Sequence, residues 1–158
     1  MNQFNLNMQI DEKNVIKTSD DYYTPKWIFD ALKLEFDVDP AQPIGGCSWI
    51  PVKRYYTILD DGLAQNWVGR VWCNPPYSAP SAWVERFIAH GDGIMLIHLA
   101  KSEWLQRLWK KSDAITLLPT NMKFTTPDDG EKSIFGPTAL FAMGEENAAA
   151  LKIFGKVR

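Results

Sequence analysis

The chain has 158 residues, of which 46% are hydrophobic and 23% charged, with a net charge of −2 and a pI near 5.7. That balance is the one of a single folded domain with a proper core, and the longest apolar stretch, Gly93 to Ala100, is far too short to cross a bilayer. It also excludes binding to nucleic acid through overall charge, so any such contact has to come from a local patch of lysine and arginine.

Residues 1–19 mix polar side chains with scattered Ile, Leu and Val and no sustained period, and are read as a flexible arm ahead of a single domain over residues 20–158. The polar N-terminus has no apolar signal core. Cys47 and Cys73 are too few for a disulfide framework and lie in apolar surroundings. They read as reduced thiols in a cytoplasmic protein. Neither cysteine has metal-site spacing and His90 and His98 lack ligand partners, so no metal is expected.

The first predicted helix has Thr24 as N-cap and Pro25 in its first turn, with Trp27, Ile28, Phe29 and Leu32 at helical spacing. Phe36 to Asp39 alternates as a strand and ends at Pro40-Ala41. A loop rich in Pro and Gly follows, then a second strand at Tyr55 to Thr57 and a turn at Asp60-Asp61-Gly62. Val71-Trp72-Cys73 is a short buried strand that two prolines stop. Ser81 to Ile88 is an amphipathic helix with Ser81 as its cap; Gly93 to Leu99 is a buried strand; Ser102 to Lys111 is a helix ending in two lysines. Strands at Ala114 to Leu118, around Lys123-Phe124 and at Thr138 to Met143, and a last helix from Glu145 to Ile153, complete the chain. The alternation predicts an α/β fold with a mostly parallel sheet, and Lys123 to Met143 can supply an antiparallel C-terminal hairpin.

Asn74-Pro75-Pro76-Tyr77 carries the chemistry. It lies at the carboxyl end of a strand, the edge where open α/β sheets bind ligands. A planar exocyclic amine such as the N6 of adenine is a poor nucleophile because its lone pair is delocalised into the ring. Two acceptors for its N–H groups turn the lone pair outward. The Asn74 side-chain oxygen is one, the Pro75 carbonyl the other, with Pro76 stiffening the turn and Tyr77 able to stack on the base and hold its plane. No proton needs to be removed before attack; positioning and electrostatics carry the work. Cytosine N4, an RNA base or a protein glutamine offers the same kind of amine.

Three upstream features precede this loop in a fixed order: Tyr22-Tyr23-Thr24-Pro25, then Phe36 to Ala41, then Asp60-Asp61-Gly62-Leu63 with Trp67. Together with the Asn-Pro-Pro-Tyr-Ser segment and Trp83-Val84 they resemble the phage-type DNA N6-adenine methyltransferases, the phage Dam family, over residues 22–143. The resemblance implies a Rossmann-like methyltransferase fold that uses S-adenosylmethionine on double-stranded DNA, phage- or prophage-encoded, acting as a monomer or homodimer. By the same resemblance, Asn74 to Tyr77 is the catalytic loop. Tyr23, Thr24 and Pro25 cover the methionine part of the cofactor, Asp39, Pro40 and Ala41 start its binding motif, and Asp60 or Asp61 supplies a second carboxylate. On the substrate side stand Ser78 and Lys123, with Lys101, which contacts phosphate or leads into the next helix, and Phe124, which stacks on the base or fills the core.

One departure matters. The usual Gly-x-Gly turn after the first strand is replaced by Gln42-Pro43-Ile44, and the interval from Ala41 to Val71 is short for two βα units. The expectation is a reduced cofactor region, and with it a second outcome: a relative that keeps the fold and has lost turnover.

Overall fold

A computed structural model describes residues 22–126, 128, 130–134 and 136–158; the arm expected over residues 1–19 lies outside them. The first helix, α1 (Lys26–Leu32), starts one residue later than its sequence signals suggest. Pro25 sits at the N-cap with extended backbone (φ −64°, ψ 144°), and no side chain caps the helix. Thr24 does not cap it because its hydroxyl faces Asn74 instead. Strands β1 (Phe36–Asp39), β2 (Val52–Tyr55) and β3 (Val71–Cys73) follow, and between Asp39 and Val71 there is one strand and no helix. The second strand lies three residues earlier than expected. As an edge strand with three exposed residues it carries no apolar alternation to read.

After β3 come α2 (Ser81–His90), β4 (Gly93–His98), α3 (Glu103–Lys111) and β5 (Ala114–Leu117). Pro80, not Ser81, occupies the cap position of α2. Ser102 caps α3, its hydroxyl accepting from the Leu105 amide at 3.4 Å. Strands β6 (Lys123–Thr125) and β7 (Glu131–Ser133) form a small antiparallel hairpin of their own. Strand β8 (Thr138–Met143) returns to the main sheet, and α4 (Glu145–Ala150) runs on into a 3-10 turn at Leu151–Phe154.

The main sheet has six strands in the order β2-β1-β3-β4-β8-β5. The first four are parallel; β8 is antiparallel to both of its neighbours and lies inside the sheet rather than at its rim. Alternating side chains of β3 serve two cores. Trp72 joins Ile28, Phe29 and Leu32 of α1 on one face, and Val71 and Cys73 join Val84 and Phe87 of α2 and Leu108 of α3 on the other. Burial of each large apolar side chain stabilises the fold by about 1.5–3 kcal/mol. Packing of this kind, rather than the propensity of such short helices, holds the sheet edge in place. The register Cys73↔Met95 sets Asn74 and the end of β4 on the same carboxyl edge.

Candidate active site

Asn74 leaves the end of β3 with its side-chain amide turned back under the segment that precedes α1. Its Nδ2 donates to the Tyr22 carbonyl at 3.1 Å and approaches Thr24 Oγ1 at 3.4 Å. A backbone carbonyl only accepts, so this contact settles which way the amide faces. The other end of the amide, Oδ1, is buried and has no hydrogen-bond partner among the described residues. An amide carbonyl left in that condition costs about 1–3 kcal/mol, which is compensated when a donor arrives. Pro75, which supplies the second carbonyl of the sequence reading, is buried, Pro76 is half-buried, and the chain emerges at Tyr77 and Ser78.

The Tyr22–Thr24 segment is tied on three sides. Tyr23 exchanges backbone hydrogen bonds with Thr125 of the hairpin (2.9 and 3.0 Å), Trp49 Nε1 donates to the Thr24 carbonyl (2.8 Å), and Asn74 holds Tyr22. Tyr22, Tyr23, Thr24, Asp39, Ala41, Gln42, Trp72 and Asn74 all line one narrow cavity of about 10 Å³, room for roughly one water molecule. Three of the sequence features thus meet: the Tyr-Tyr-Thr-Pro segment, the end of β1 and the Asn-Pro-Pro-Tyr loop.

Asp39 is almost fully buried at this cavity. Its Oδ1 accepts from the Ala41 amide at 3.0 Å, the turn that bends the chain out of β1. Desolvation pushes its carboxyl up to about 7, against the opposing pull of the Ala41 amide and the Gln42 side chain. Gln42 is close enough to exert that pull without making a hydrogen bond of normal geometry, and its Nε2 is buried without a partner. Burial also pushes the Cys47 thiol up to about 11 and the Cys73 thiol well above its ordinary value. Neither sulfur is a thiolate nucleophile at neutral pH.

The Asp60-Asp61-Gly62 turn packs against the end of β1. A Cβ on Gly62 would lie 1.8 Å from the Pro40 carbonyl oxygen, so only glycine permits the approach. The two acids do not line the cavity. Asp60 Oδ2 accepts from the Thr57 amide (2.8 Å) and hydroxyl (3.1 Å), closing its own turn, and Asp61 is exposed with left-handed backbone (φ 53°).

On the outer side, the Tyr77 ring contacts Tyr22, His98 and Phe124 at centroid distances of 5.3, 6.0 and 6.3 Å. Phe124 is buried in the core while also touching this aromatic group. Lys123 pairs with Glu131 across the hairpin at 3.4 Å, and Lys132 lies over the Tyr22 ring at 5.3 Å. Lys101 is exposed just past β4. A larger open groove of about 300 Å³, lined by Pro25, Trp27, Met122 and Lys123, lies beside this group and does not include Asn74.

Sequence reasoning missed Gln42, Trp72 and His98. Gln42 stands where a motif glycine was expected and gives no signal of its own. Trp72 reads as a core residue, which it also is. His98 ends a strand parallel to β3, and that placement could have marked it as a residue of the same edge.

Residues 12–147 match the family described as DNA N-6-adenine-methyltransferase (Dam). No curated protein and no solved structure matches the chain. The family match covers most of the length and includes every feature that meets at the cavity, and the chain belongs to the Dam family of DNA N-6-adenine methyltransferases.

Proposed function

We propose that this protein transfers a methyl group from S-adenosylmethionine to the N6 amine of an adenine flipped out of double-stranded DNA. The observation that carries the reading is the Asn74 amide, locked by Tyr22 so that an unpartnered acceptor stands at the carboxyl end of β3. Asn74 Oδ1 and the Pro75 carbonyl accept from the two N–H groups of the target amine, Pro76 holds that carbonyl rigid, and Tyr77 stacks on the base. The bound cofactor supplies an electrophilic methyl on a sulfonium. Family membership favours adenine over cytosine, an RNA base or a glutamine amide.

The residues at the cavity suit S-adenosylmethionine. They combine a buried carboxylate at Asp39 with buried polar atoms that lack partners, and Tyr23, Thr24 and Ala41 line the same cavity. We read the six-strand sheet as a reduced Rossmann-like methyltransferase fold whose β1–β3 interval has lost its helices. Pro25 fixes the approach of the covering segment, and Asp60 and Asp61 border the site rather than form it. Ser78, Lys101 and Lys123 face the DNA, and Phe124 backs Tyr77 instead of stacking on the base itself. The setting is the cytoplasm of a bacterium hosting a phage or prophage, and the enzyme acts as a monomer or homodimer. No helix among the described residues is long and apolar enough to cross a membrane.

Expression in a bacterial strain free of N6-methyladenine, followed by nucleoside mass spectrometry of total DNA, tests the reading. N6-methyladenine in cells making the protein supports it. Methylation confined to cytosine keeps the amine mechanism and replaces the substrate.

A further inference from the structure

The two faces of β6 have different surroundings. Phe124 turns toward Tyr22 and Tyr77, at ring-centroid distances of 5.9 and 6.3 Å, while its strand neighbours Lys123 and Thr125 line the open groove of about 300 Å³. Pro25, one residue past the Thr24 that approaches Asn74, belongs to the same groove. Strand β5 runs with β4, because β8 is antiparallel to both. Asn121, beyond the end of β5, therefore stands on the carboxyl edge that bears Asn74, and it too lines the groove. The groove lies beside the proposed target-base site, with β6 as the wall between them.

Its lining suits a planar, polar, uncharged ring. Trp27 is 41% exposed here, and Phe154 supports its ring edge-on at 6.1 Å. The Asn121 amide offers a donor and an acceptor together. Lys123 and Glu131 pair at 3.4 Å across the hairpin, so a phosphate finds no unmatched cation among the described lining residues. A saturated apolar ligand would take water from that ion pair and give nothing in return. A nucleobase presents a π-face to the indole, and donors and acceptors along its edge to Asn121 and Glu131. The volume is at the lower end of the range for small-ligand pockets and has room for one base.

Resting on the proposed transfer to a flipped adenine, we infer that the groove receives a second, unpaired nucleobase of the same strand, the neighbour of the target. Trp27 stacks on it and Asn121 reads its edge. The two bases lie on opposite faces of β6, the target beside Phe124 and Tyr77 and its neighbour beside Lys123 and Thr125. The protein thus opens two adjacent nucleotides rather than one, and part of its sequence preference comes from this groove.

The test uses a duplex bearing one adenine that the unaltered protein methylates in cells, located by sequencing for methylated bases. Its affinity is compared with that of two duplexes in which the base 5′ or 3′ of that adenine is missing (abasic sites). The unaltered protein, Trp27→Ala and Trp27→Phe are each titrated with all three. On one side of the target, the missing base should weaken binding by the unaltered protein about tenfold more than binding by Trp27→Ala, the scale of one base stacked on an aromatic ring. Trp27→Phe, which keeps a ring, should retain most of that difference. An abasic site alters the duplex equally for all three proteins, and a partly unfolded variant loses affinity for every duplex alike, so the ratio reports the contact itself. Equal effects of the missing base in the unaltered protein and in Trp27→Ala, on both sides of the target, would overturn the proposal. Absence of any methylated adenine would instead overturn the reading on which it stands.

Discussion

The 3.1 Å hydrogen bond from Asn74 Nδ2 to the Tyr22 carbonyl links the Asn-Pro-Pro-Tyr loop to the segment that precedes α1. The same bond fixes the direction of the amide, and with it the acceptor that the proposed reaction uses. Asn74→Ala removes that acceptor and the tether together. Turnover should fall by about two to three orders of magnitude, the scale for loss of one preorganised hydrogen-bonding group. S-adenosylhomocysteine affinity should change far less. Single-turnover rates and calorimetry on the same preparation check both halves.

Asp39 predicts a pH dependence with a defined sign. Its carboxyl is raised to about 7 in the folded protein from a usual 3.8, through burial first of all. Below the lower value both states hold the proton and no penalty exists. As pH rises from there to about 7 the unfolded chain releases its proton while the folded one retains it, so stability falls, and the loss is complete above 7. Asp39→Asn should therefore gain stability relative to the unaltered protein across that window, by up to about 4 kcal/mol at its upper end. Urea unfolding at a series of pH values measures the difference. Cofactor affinity runs the other way. S-adenosylhomocysteine should bind more tightly from pH 6 to pH 8 as the carboxylate forms, and Asp39→Asn should lose that dependence.

Two glycines separate crowding from backbone conformation. Gly62→Ala drives a methyl into the Pro40 carbonyl, 1.8 Å away, and should cost about 2 kcal/mol or more while loosening the end of β1 beside Asp39. Gly91→Ala meets no atom within 4 Å but must adopt φ 78°, at a cost of about 1–2 kcal/mol. Thermal unfolding should show both losses. Weakened S-adenosylhomocysteine binding should accompany only Gly62→Ala.

Lys101 is exposed past β4, on the carboxyl edge that also bears Asn74. With a net charge of −2 there is no general attraction to DNA, so individual cations on this edge matter. Lys101→Ala should weaken DNA binding about equally for all sequences and lower the salt slope by about 1. Binding isotherms at several salt concentrations distinguish this from a base contact, which would relax specificity instead.

Much of this arrangement is legible in the chain because strong local signals coincide with it. Phe36–Asp39 and Val71–Cys73 form strands at the expected bounds, with apolar residues and proline stops that leave little choice. The sheet order is not legible: nothing local in Thr138–Met143 says that it inserts between β4 and β5 instead of pairing with Lys123–Thr125. Capping signals failed where tertiary contacts took the capping residue. Thr24 has the composition of an N-cap, but its hydroxyl serves Asn74 and its carbonyl serves Trp49. At the site, Asn74 and Asp39 carry motif signals, whereas Gln42 becomes visible only once Cys47 is seen to hold its oxygen. Asp60 illustrates the reverse, a motif acid whose carboxylate closes its own turn with Thr57.

The most direct measurement is transfer of tritiated methyl from S-adenosylmethionine to unmethylated double-stranded DNA, with digestion to nucleosides and Asn74→Ala run in parallel. The account predicts label in N6-methyladenine that is lost with Asn74→Ala, while that variant still binds S-adenosylhomocysteine. Label in N6-methyladenine that survives undiminished in Asn74→Ala would contradict the role of the amide. Absence of label with cofactor bound would contradict the proposed reaction itself.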